Sequence, residues 1–335
     1  MPATASGPAI SEWNRMRNIL GCLPVILCLC TAQPAAAEFE FRDGDRVVLL
    51  GGTLIEREQR YGYWETALTA AHPERSITFR NLGWSGDTVW AESRGIFDPP
   101  AQGYARMLEL VGELDPTVII VGYGNNEAFA GESGLESFVA QYNKLLDDID
   151  GEQIRFILLA PLPMEQASSP LPDVSPYNDN VQLYAAAIES IAAERDATFV
   201  PLTMPQRESD SERGPTDNGQ HLTAYGYWST APQLRAALCG GADGPALDPI
   251  RPTPTGRPPT DLEGSAATLE DLRTTIVRKN ELFFHRWRPQ NITYLFGFRK
   301  HEQGNNAVEI AQFDPLIAEQ EQHIAKLRSS LAVSQ

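Results

Sequence analysis

The fold of this chain is decided by the stretch Val47-Val48-Leu49-Leu50-Gly51-Gly52-Thr53-Leu54-Ile55-Glu56. A short apolar run ends in two glycines and a hydroxyl residue, and helical spacing follows from about Leu54 to Thr69, which predicts a strand, a tight corner and a helix. Ligands bind at such corners in open α/β sheets, so Thr53 is a candidate for substrate contact. Thr53 and Glu56 also have the spacing of a capping box that satisfies the free N–H groups of the helix. Both interpretations stay open on this stretch alone.

The composition is that of a globular protein. With 335 residues, 42% of them hydrophobic, the chain is long enough for one large α/β domain and an appendage. Its formal net charge is −17. Nucleic acids and anionic membrane surfaces are bound by clustered lysine and arginine, so neither is expected as a partner. An acidic surface favours a neutral or cationic partner.

Residues 1–37 have the features of a secretory signal. Arg15 and Arg17 precede an apolar stretch from Ile19 to Ala32, and Ala35-Ala36-Ala37 offers a cleavage site of small residues. We therefore expect export to the periplasm or the extracellular space, with no stable membrane partner after cleavage. An uncleaved N-terminal anchor is the alternative. Cleavage leaves Cys239 as the single cysteine, which excludes an internal disulfide.

Apolar strands alternate with helical segments from the end of the signal to residue 238. This alternation predicts a three-layer α/β/α fold around a parallel sheet of five strands, joined by right-handed crossovers. Three polar, glycine-rich loops follow strands, so they lie at the same edge of the sheet. The predicted strands after the first are 76–81, 117–123, 154–160 and 197–202, and the predicted helices are 61–71, 103–114, 134–149, 177–195 and 224–238.

The domain boundaries follow from composition. Residues 38–239 form the α/β domain, and residues 240–267, rich in proline and glycine, have the composition of a linker. Residues 268–335 are predicted to form a helical extension that packs on the main domain. We hypothesise that this extension folds over the carboxyl edge of the sheet and shapes the pocket, because it holds many polar groups, among them Arg286, Arg299, Lys300 and Asn305.

Four loops resemble blocks of the SGNH, or GDSL-type, hydrolase family, and the resemblance covers about residues 45–238. Gly51-Gly52-Thr53-Leu54 stands where the family has Gly-Asp-Ser-Leu, and Asn81–Thr88 is similar to the second block. Gly124-Asn125-Asn126-Glu127 is similar to Gly-x-Asn-Asp, and Asn218-Gly219-Gln220-His221 is similar to Asp-x-x-His. The resemblance implies a flavodoxin-like, SGNH-type sheet and the hydrolysis of acyl esters without a cofactor or a metal.

The resemblance also implies a role for each residue. Thr53 falls on the position of the nucleophile, and His221 on that of the base that takes its proton. The oxyanion would be held by the N–H groups of Thr53 and Gly86 and by the side-chain amide of Asn126. Ser85 is a rival nucleophile in the second loop. The residues expected to contact the substrate are Trp84, Ser85, Tyr123 and Glu127.

Three departures from the family pattern bear on activity. Thr53 replaces the serine, and its methyl group crowds the approach and restricts rotation. Gly52 replaces the adjacent aspartate, and Asn218 replaces the aspartate that orients the histidine. Asn218 has no charge to stabilise an imidazolium, so Asp217 or a backbone carbonyl is an alternative orienting group.

Two functions therefore stay open. The first is an exported acyl-ester hydrolase that acts on an O-acylated carbohydrate or another small ester, with slow or absent turnover among the expected outcomes. The second is a catalytically degenerate domain that binds a carbohydrate or a protein partner in the same pocket. A carbohydrate is suggested by export, by the lack of a long apolar lid and by aromatic residues near the loops, which are Tyr63, Trp84, Trp90 and Tyr123.

Overall fold

The computed structural model describes residues 39–149, 151, 154–166, 172–207, 214–240, 247–302 and 306–333, so the predicted signal lies outside the described residues. Its sheet has five parallel strands in the order β2-β1-β3-β4-β5. The predicted α/β fold with five parallel strands is confirmed, and each of the last four strands lies within its predicted range. The strands are β1 (Arg46–Gly51), β2 (Thr78–Asn81), β3 (Val118–Gly122), β4 (Arg155–Leu159) and β5 (Thr198–Val200).

Both faces of the sheet are covered by helices. Successive residues of β1 point to opposite faces, so Val48 and Leu50 belong to one apolar cluster while Val47 and Leu49 belong to another. Burial on both faces explains why the strands are apolar runs rather than alternating patterns. The helices of this part are α1 (Thr53–Glu58), α2 (Tyr63–Ala71), α3 (Pro100–Glu113), α4 (Glu132–Ile149), α5 (Ser175–Glu194) and α6 (Ala224–Leu238).

The helical pattern after Thr53 forms two helices instead of one. The break falls at Gly62, which precedes α2 with a φ of +67°, a left-handed conformation that glycine adopts without strain. The capping-box interpretation is wrong as well. Gly52 is the residue before α1, and no side chain caps that helix end. Thr53 and Glu56 instead bond to the loop after β2, which the sequence spacing alone does not reveal.

The C-terminal extension packs on the α/β part. It consists of α7 (Gly264–Trp287), α8 (Ile292–Leu295) and α9 (Phe313–Val333). The buried Lys279 ammonium on α7 lies 2.7 and 2.9 Å from the two carboxylate oxygens of Glu65 and 2.9 Å from the carbonyl oxygen of Phe79. Removing one partner of such a buried pair costs about 3–5 kcal/mol, so this contact fixes the extension firmly. Among the described helices, none is both long and apolar enough to cross a bilayer.

The strand order reverses between β1 and β3. These two strands end side by side, because Gly51 pairs with Gly122. In an open α/β sheet, the crevice outside the carboxyl ends of the strands at such a reversal is where ligands bind.

Candidate active site

A pocket lies at this reversal point. Its lining includes Thr53 from the corner after β1, Asn126 from the turn after β3, and His221 from the loop before α6. The structure thus brings together three predicted site residues from distant parts of the chain. The leucines that line the pocket are Leu54, Leu162 and Leu222.

The Thr53 hydroxyl is directed at the loop after β2. Its Oγ1 accepts a hydrogen bond from the N–H of Gly86 at 3.0 Å. Gly86 has a φ of +76°, which favours glycine at this position. The loop also crosses α1 in close contact, since a Cβ atom on Gly83 would lie 2.2 Å from the backbone nitrogen of Glu56. Two predicted members of the oxyanion hole are therefore adjacent.

Asn126 is held by the same loop. Its Nδ2 donates a hydrogen bond to the carbonyl oxygen of Asp87 at 2.8 Å. Asp87 is buried, and its Oδ2 accepts hydrogen bonds from Arg94 Nε at 2.6 Å and from the Tyr123 hydroxyl at 3.0 Å. Because a side-chain amide has two donor hydrogens, one remains for a ligand. The buried network sets the position of that donor in advance.

Of the four residues expected to contact the substrate, Tyr123 and Glu127 line the pocket. Both are buried, at 3% and 5% exposure, so they form its wall. Glu127 Oε1 accepts from the N–H of Val89 at 2.8 Å, and Oε2 accepts from the N–H of Gly124 at 2.9 Å. Burial raises the pKa of Glu127 to about 7, although these hydrogen bonds oppose the increase.

Trp84 and Ser85 are not among the described residues that line this pocket. The Ser85 hydroxyl donates to Glu56 Oε1 at 2.7 Å, which places the rival nucleophile in a structural contact. The Trp84 ring is covered by the guanidinium of Arg288, whose Cζ lies 3.6 Å from the ring centroid. The aromatic residues that suggested a carbohydrate ligand are thus largely packed, since Tyr63 is buried too.

Asn218 is in contact with the ring of His221. Its Oδ1 accepts hydrogen bonds from the backbone N–H groups of Gln220 at 3.1 Å and His221 at 2.8 Å, as in an Asx turn. The amide nitrogen, Nδ2, is then the atom that lies 3.2 Å from His221 Nδ1. Because an amide nitrogen only donates, Nδ1 must accept and the ring proton lies on Nε2. A base that acts through Nε2 needs the opposite tautomer.

Asp217 is engaged by another partner. Its Oδ2 lies 2.6 Å from Nη2 of Arg57, and Arg57 also donates to the carbonyl oxygen of Leu222. Burial lowers the pKa of His221 and the Arg57 guanidinium lowers it further, while Asp217 offsets only part of this effect. His221 is therefore neutral at neutral pH, which is the charge state that a general base requires.

Sequence reasoning missed Arg57, Asp87 and Arg94. Arg57 follows Thr53 by four residues, so the helical pattern was sufficient to place both on one face of α1. Asp87 directly follows Gly86, but its buried partner Arg94 lies in a short 3-10 turn (Glu92–Gly95) that has no periodic signal. The part of the chain that the structure describes holds no cluster of His, Cys, Asp and Glu suited to a metal ion.

The sequence profile of the GDSL-like lipase/acylhydrolase family matches residues 44–228. These residues include Thr53, Asn126 and His221, which line the pocket, and Gly86, whose N–H donates to Thr53 Oγ1. The chain belongs to this family. The family resemblance found in the sequence is thereby confirmed. The effect of Thr53 and Asn218 on the activity of this GDSL-type protein stays a prediction. Among curated proteins, none matches the chain.

Solved structures share the fold of this GDSL-type protein at low identity. A catalytic mutant of an acetylxylan esterase from Geobacillus stearothermophilus is 15% identical, with a TM-score of 0.43 over 60% of this chain and 97% of that chain. A GDSL-like lipase from Bacteroides thetaiotaomicron is 21% identical, with a TM-score of 0.38 over 58% and 89%. A gut microbial diltiazem-metabolizing enzyme is 14% identical, with a TM-score of 0.51 over 88% and 96%. The last likeness extends beyond the α/β part of the chain.

Proposed function

We propose that this protein is an exported acyl-ester hydrolase of low turnover that acts on short-acyl esters, including O-acylated carbohydrates. One observation carries the proposal: Thr53, Asn126 and His221 line one pocket, and the Gly86 N–H already donates to Thr53 Oγ1. These are the parts that acyl transfer needs, a hydroxyl nucleophile, a neutral imidazole and donors for an oxyanion.

In the proposed reaction, the Thr53 hydroxyl attacks the acyl carbon while His221 takes its proton. The Gly86 N–H transfers its hydrogen bond from Thr53 Oγ1 to the oxyanion, and Asn126 donates from its second amide hydrogen. His221 then gives the proton to the leaving alcohol, and water releases the acyl group from Thr53 by the same steps. Each retained oxyanion donor contributes about 3–4 kcal/mol to the barrier reduction.

The contact between Asn218 and His221 limits the rate of these steps. Freeing Nε2 requires the Asn218 amide to turn and release the two backbone groups that its Oδ1 accepts from. At about 1 kcal/mol net for each hydrogen bond, the cost is about 2 kcal/mol, or roughly 30-fold in rate. The missing carboxylate charge adds to this cost.

The substrate class is supported by the size and polarity of the lining. Long acyl chains need an extended apolar groove, whereas three leucines are spread among polar groups here. This mixture of a few apolar side chains and polar groups suits a short acyl group and a hydroxylated alcohol. Export stays part of the proposal and depends on residues 1–37.

An ester panel from acetyl to long acyl, run on wild type, Thr53→Ser, Thr53→Ala and His221→Ala, tests the proposal. We expect slow hydrolysis of the shortest esters by wild type. Thr53→Ser should be about tenfold faster because it loses the crowding methyl group, and the two alanine variants should be inactive. Labelling of Thr53 by a fluorophosphonate supplies the matching covalent readout. Equal rates in wild type and Thr53→Ala would contradict the assignment.

A second function, binding without turnover, is favoured by the asparagine amide that opposes the base tautomer. It predicts no labelling by the fluorophosphonate in wild type and saturable binding of a glycan or protein ligand. It also predicts that Thr53→Ser remains inactive on every ester of the panel.

A further inference from the structure

The C-terminal end of α7 reaches the loop after β2. Arg288 Nη1 donates to Glu56 Oε2 at 2.6 Å, and the Cζ atom of its guanidinium lies 3.6 Å from the centroid of the Trp84 ring. Trp287 packs edge-on against the same ring, with centroids 5.9 Å apart. A guanidinium at this distance is attracted by the face of an indole ring. The extension therefore holds both Trp84 and Glu56.

Glu56 connects this contact to the pocket. Its Oε2 accepts from the Ser85 N–H at 2.8 Å, and its Oε1 accepts from the Ser85 hydroxyl at 2.7 Å. Burial raises the pKa of Glu56, but the hydrogen bonds from Ser85 and Arg288 outweigh burial and keep the pKa below its usual value. The carboxylate is thus ionised and bonded on both sides. Glu56 lies on the same helix as Thr53, and Ser85 directly precedes Gly86.

We propose that Arg288 is a positioning residue: through Glu56 and Trp84 it holds the loop 84–86 where the Gly86 N–H serves the oxyanion hole. The catalytic part of this role rests on the proposed function, whereas the ordering of the loop does not. The sequence hypothesis named other residues of the extension. Arg286 pairs with Asp314 and Arg299 with Glu302, while Asn305 lies outside the described residues.

Removing the Arg288 side chain leaves the extension attached by its other contacts. Lys279 remains buried against Glu65, and Arg273 still donates to the carbonyl oxygen of Tyr61 at 2.7 Å. Arg286 is a matched control, because it lies two residues away and makes a partly exposed ion pair with Asp314 instead. A difference between variants at 288 and 286 thus reports on the loop rather than on the extension as a whole.

The test uses the full chain with Arg288→Gln, Arg288→Lys and Arg286→Gln. Backbone hydrogen exchange of residues 83–88 and the hydrolysis of a short-acyl ester are measured in parallel. We expect Arg288→Gln to speed the exchange of this loop and to lower kcat about tenfold with KM changed less than about twofold, since the oxyanion forms only in the transition state. Arg288→Lys should restore part of both effects because it keeps the charge, and Arg286→Gln should match wild type.

The positioning role is overturned if backbone hydrogen exchange of residues 83–88 in Arg288→Gln stays at the wild-type rate. This holds whatever the activity of the variant. An unchanged kcat in Arg288→Gln, with an active wild type, overturns it as well. A wild type that hydrolyses no ester contradicts the proposed function instead, and hydrogen exchange alone then decides whether Arg288 orders the loop.

Discussion

On one side of the pocket, Gly86 and Asn126 are positioned by the buried groups Asp87, Arg94 and Glu56. On the other side, the ring of His221 contacts the exposed residue Asn218. We call the first side, Thr53, Gly86 and Asn126, the donor wall, and the second, Asp217, Asn218 and His221, the histidine wall. Buried hydrogen-bonded groups fix geometry more tightly than exposed ones. In the proposed reaction, the donor wall therefore supplies the oxyanion donors in fixed positions, while the histidine wall limits the rate.

Under the proposed function, the difference means that the site is weakened at one position while its shape is kept. An asparagine of nearly the same size as aspartate keeps the turn that positions His221, because its Oδ1 still accepts from two backbone N–H groups. The amide reverses the hydrogen bond to the ring, however. The turn at Asn218 is formed in this structure, while the hydrogen bond from its amide to the ring opposes the base tautomer.

Repairing the histidine wall should give the largest effect. Asn218→Asp places a carboxylate next to His221 Nδ1, which favours the base tautomer and stabilises the imidazolium. We expect kcat/KM for a short-acyl ester to rise between about 10² and 10⁴-fold, by analogy with the loss seen when a triad aspartate becomes asparagine. The acid limb of the pH profile should move to higher pH, because the new charge raises the pKa of His221.

Asp217→Asn is the matched control for that repair. Asp217 is paired with Arg57 and does not hold the ring, so we expect its variant to keep nearly the wild-type rate. A loss in Asp217→Asn as large as the gain in Asn218→Asp would show that Asp217 is the orienting group.

Breaking the donor wall should give the next largest effect. Asn126→Ala removes one oxyanion donor, and we expect kcat to fall about 10²–10³-fold with a small change in KM. Thermal unfolding of the same variant controls for the lost bond to Asp87. If kcat falls less than tenfold in a variant with the wild-type melting temperature, the assignment of Asn126 to the oxyanion hole is contradicted.

The smallest effect is expected at Arg57, between the two walls. Burial and the Arg57 charge both lower the pKa of His221. We therefore expect the imidazole to stay neutral down to a lower pH than an ordinary histidine does. Arg57→Gln should move the acid limb of kcat/KM to higher pH by less than about one unit. Arg60→Gln is the control, because Arg60 follows Arg57 by three residues and is exposed. It should leave the acid limb of the pH profile unchanged. A shift to lower pH in Arg57→Gln would contradict this sign.

The sequence was sufficient for the sheet, because buried parallel strands produce continuous apolar runs that end in glycine corners. Thr53, Asn126 and His221 were predicted as well, because their loops resemble blocks of the GDSL-type family. The strand pattern added that the glycine-rich loops lie at one edge of the sheet. The break between α1 and α2 at Gly62 could not be predicted, because a glycine within a helical pattern is compatible with one continuous helix or with two.

The contacts of Asn218 and Arg288 were beyond sequence reasoning for a different reason. The orientation of the Asn218 amide depends on which backbone groups its oxygen accepts from, and that is set by the turn in three dimensions. Arg288 reaches Glu56 across 232 positions of sequence. A contact of that separation has no local pattern.

The tautomer of His221 is the most direct test of the difference between the two walls. Long-range ¹H–¹⁵N correlation spectra of the full chain with labelled histidine, assigned with His221→Ala, show which ring nitrogen carries the proton. At neutral pH we predict the proton on Nε2 in wild type and on Nδ1 in Asn218→Asp. A wild-type spectrum with the proton on Nδ1 would contradict the proposed limit on turnover.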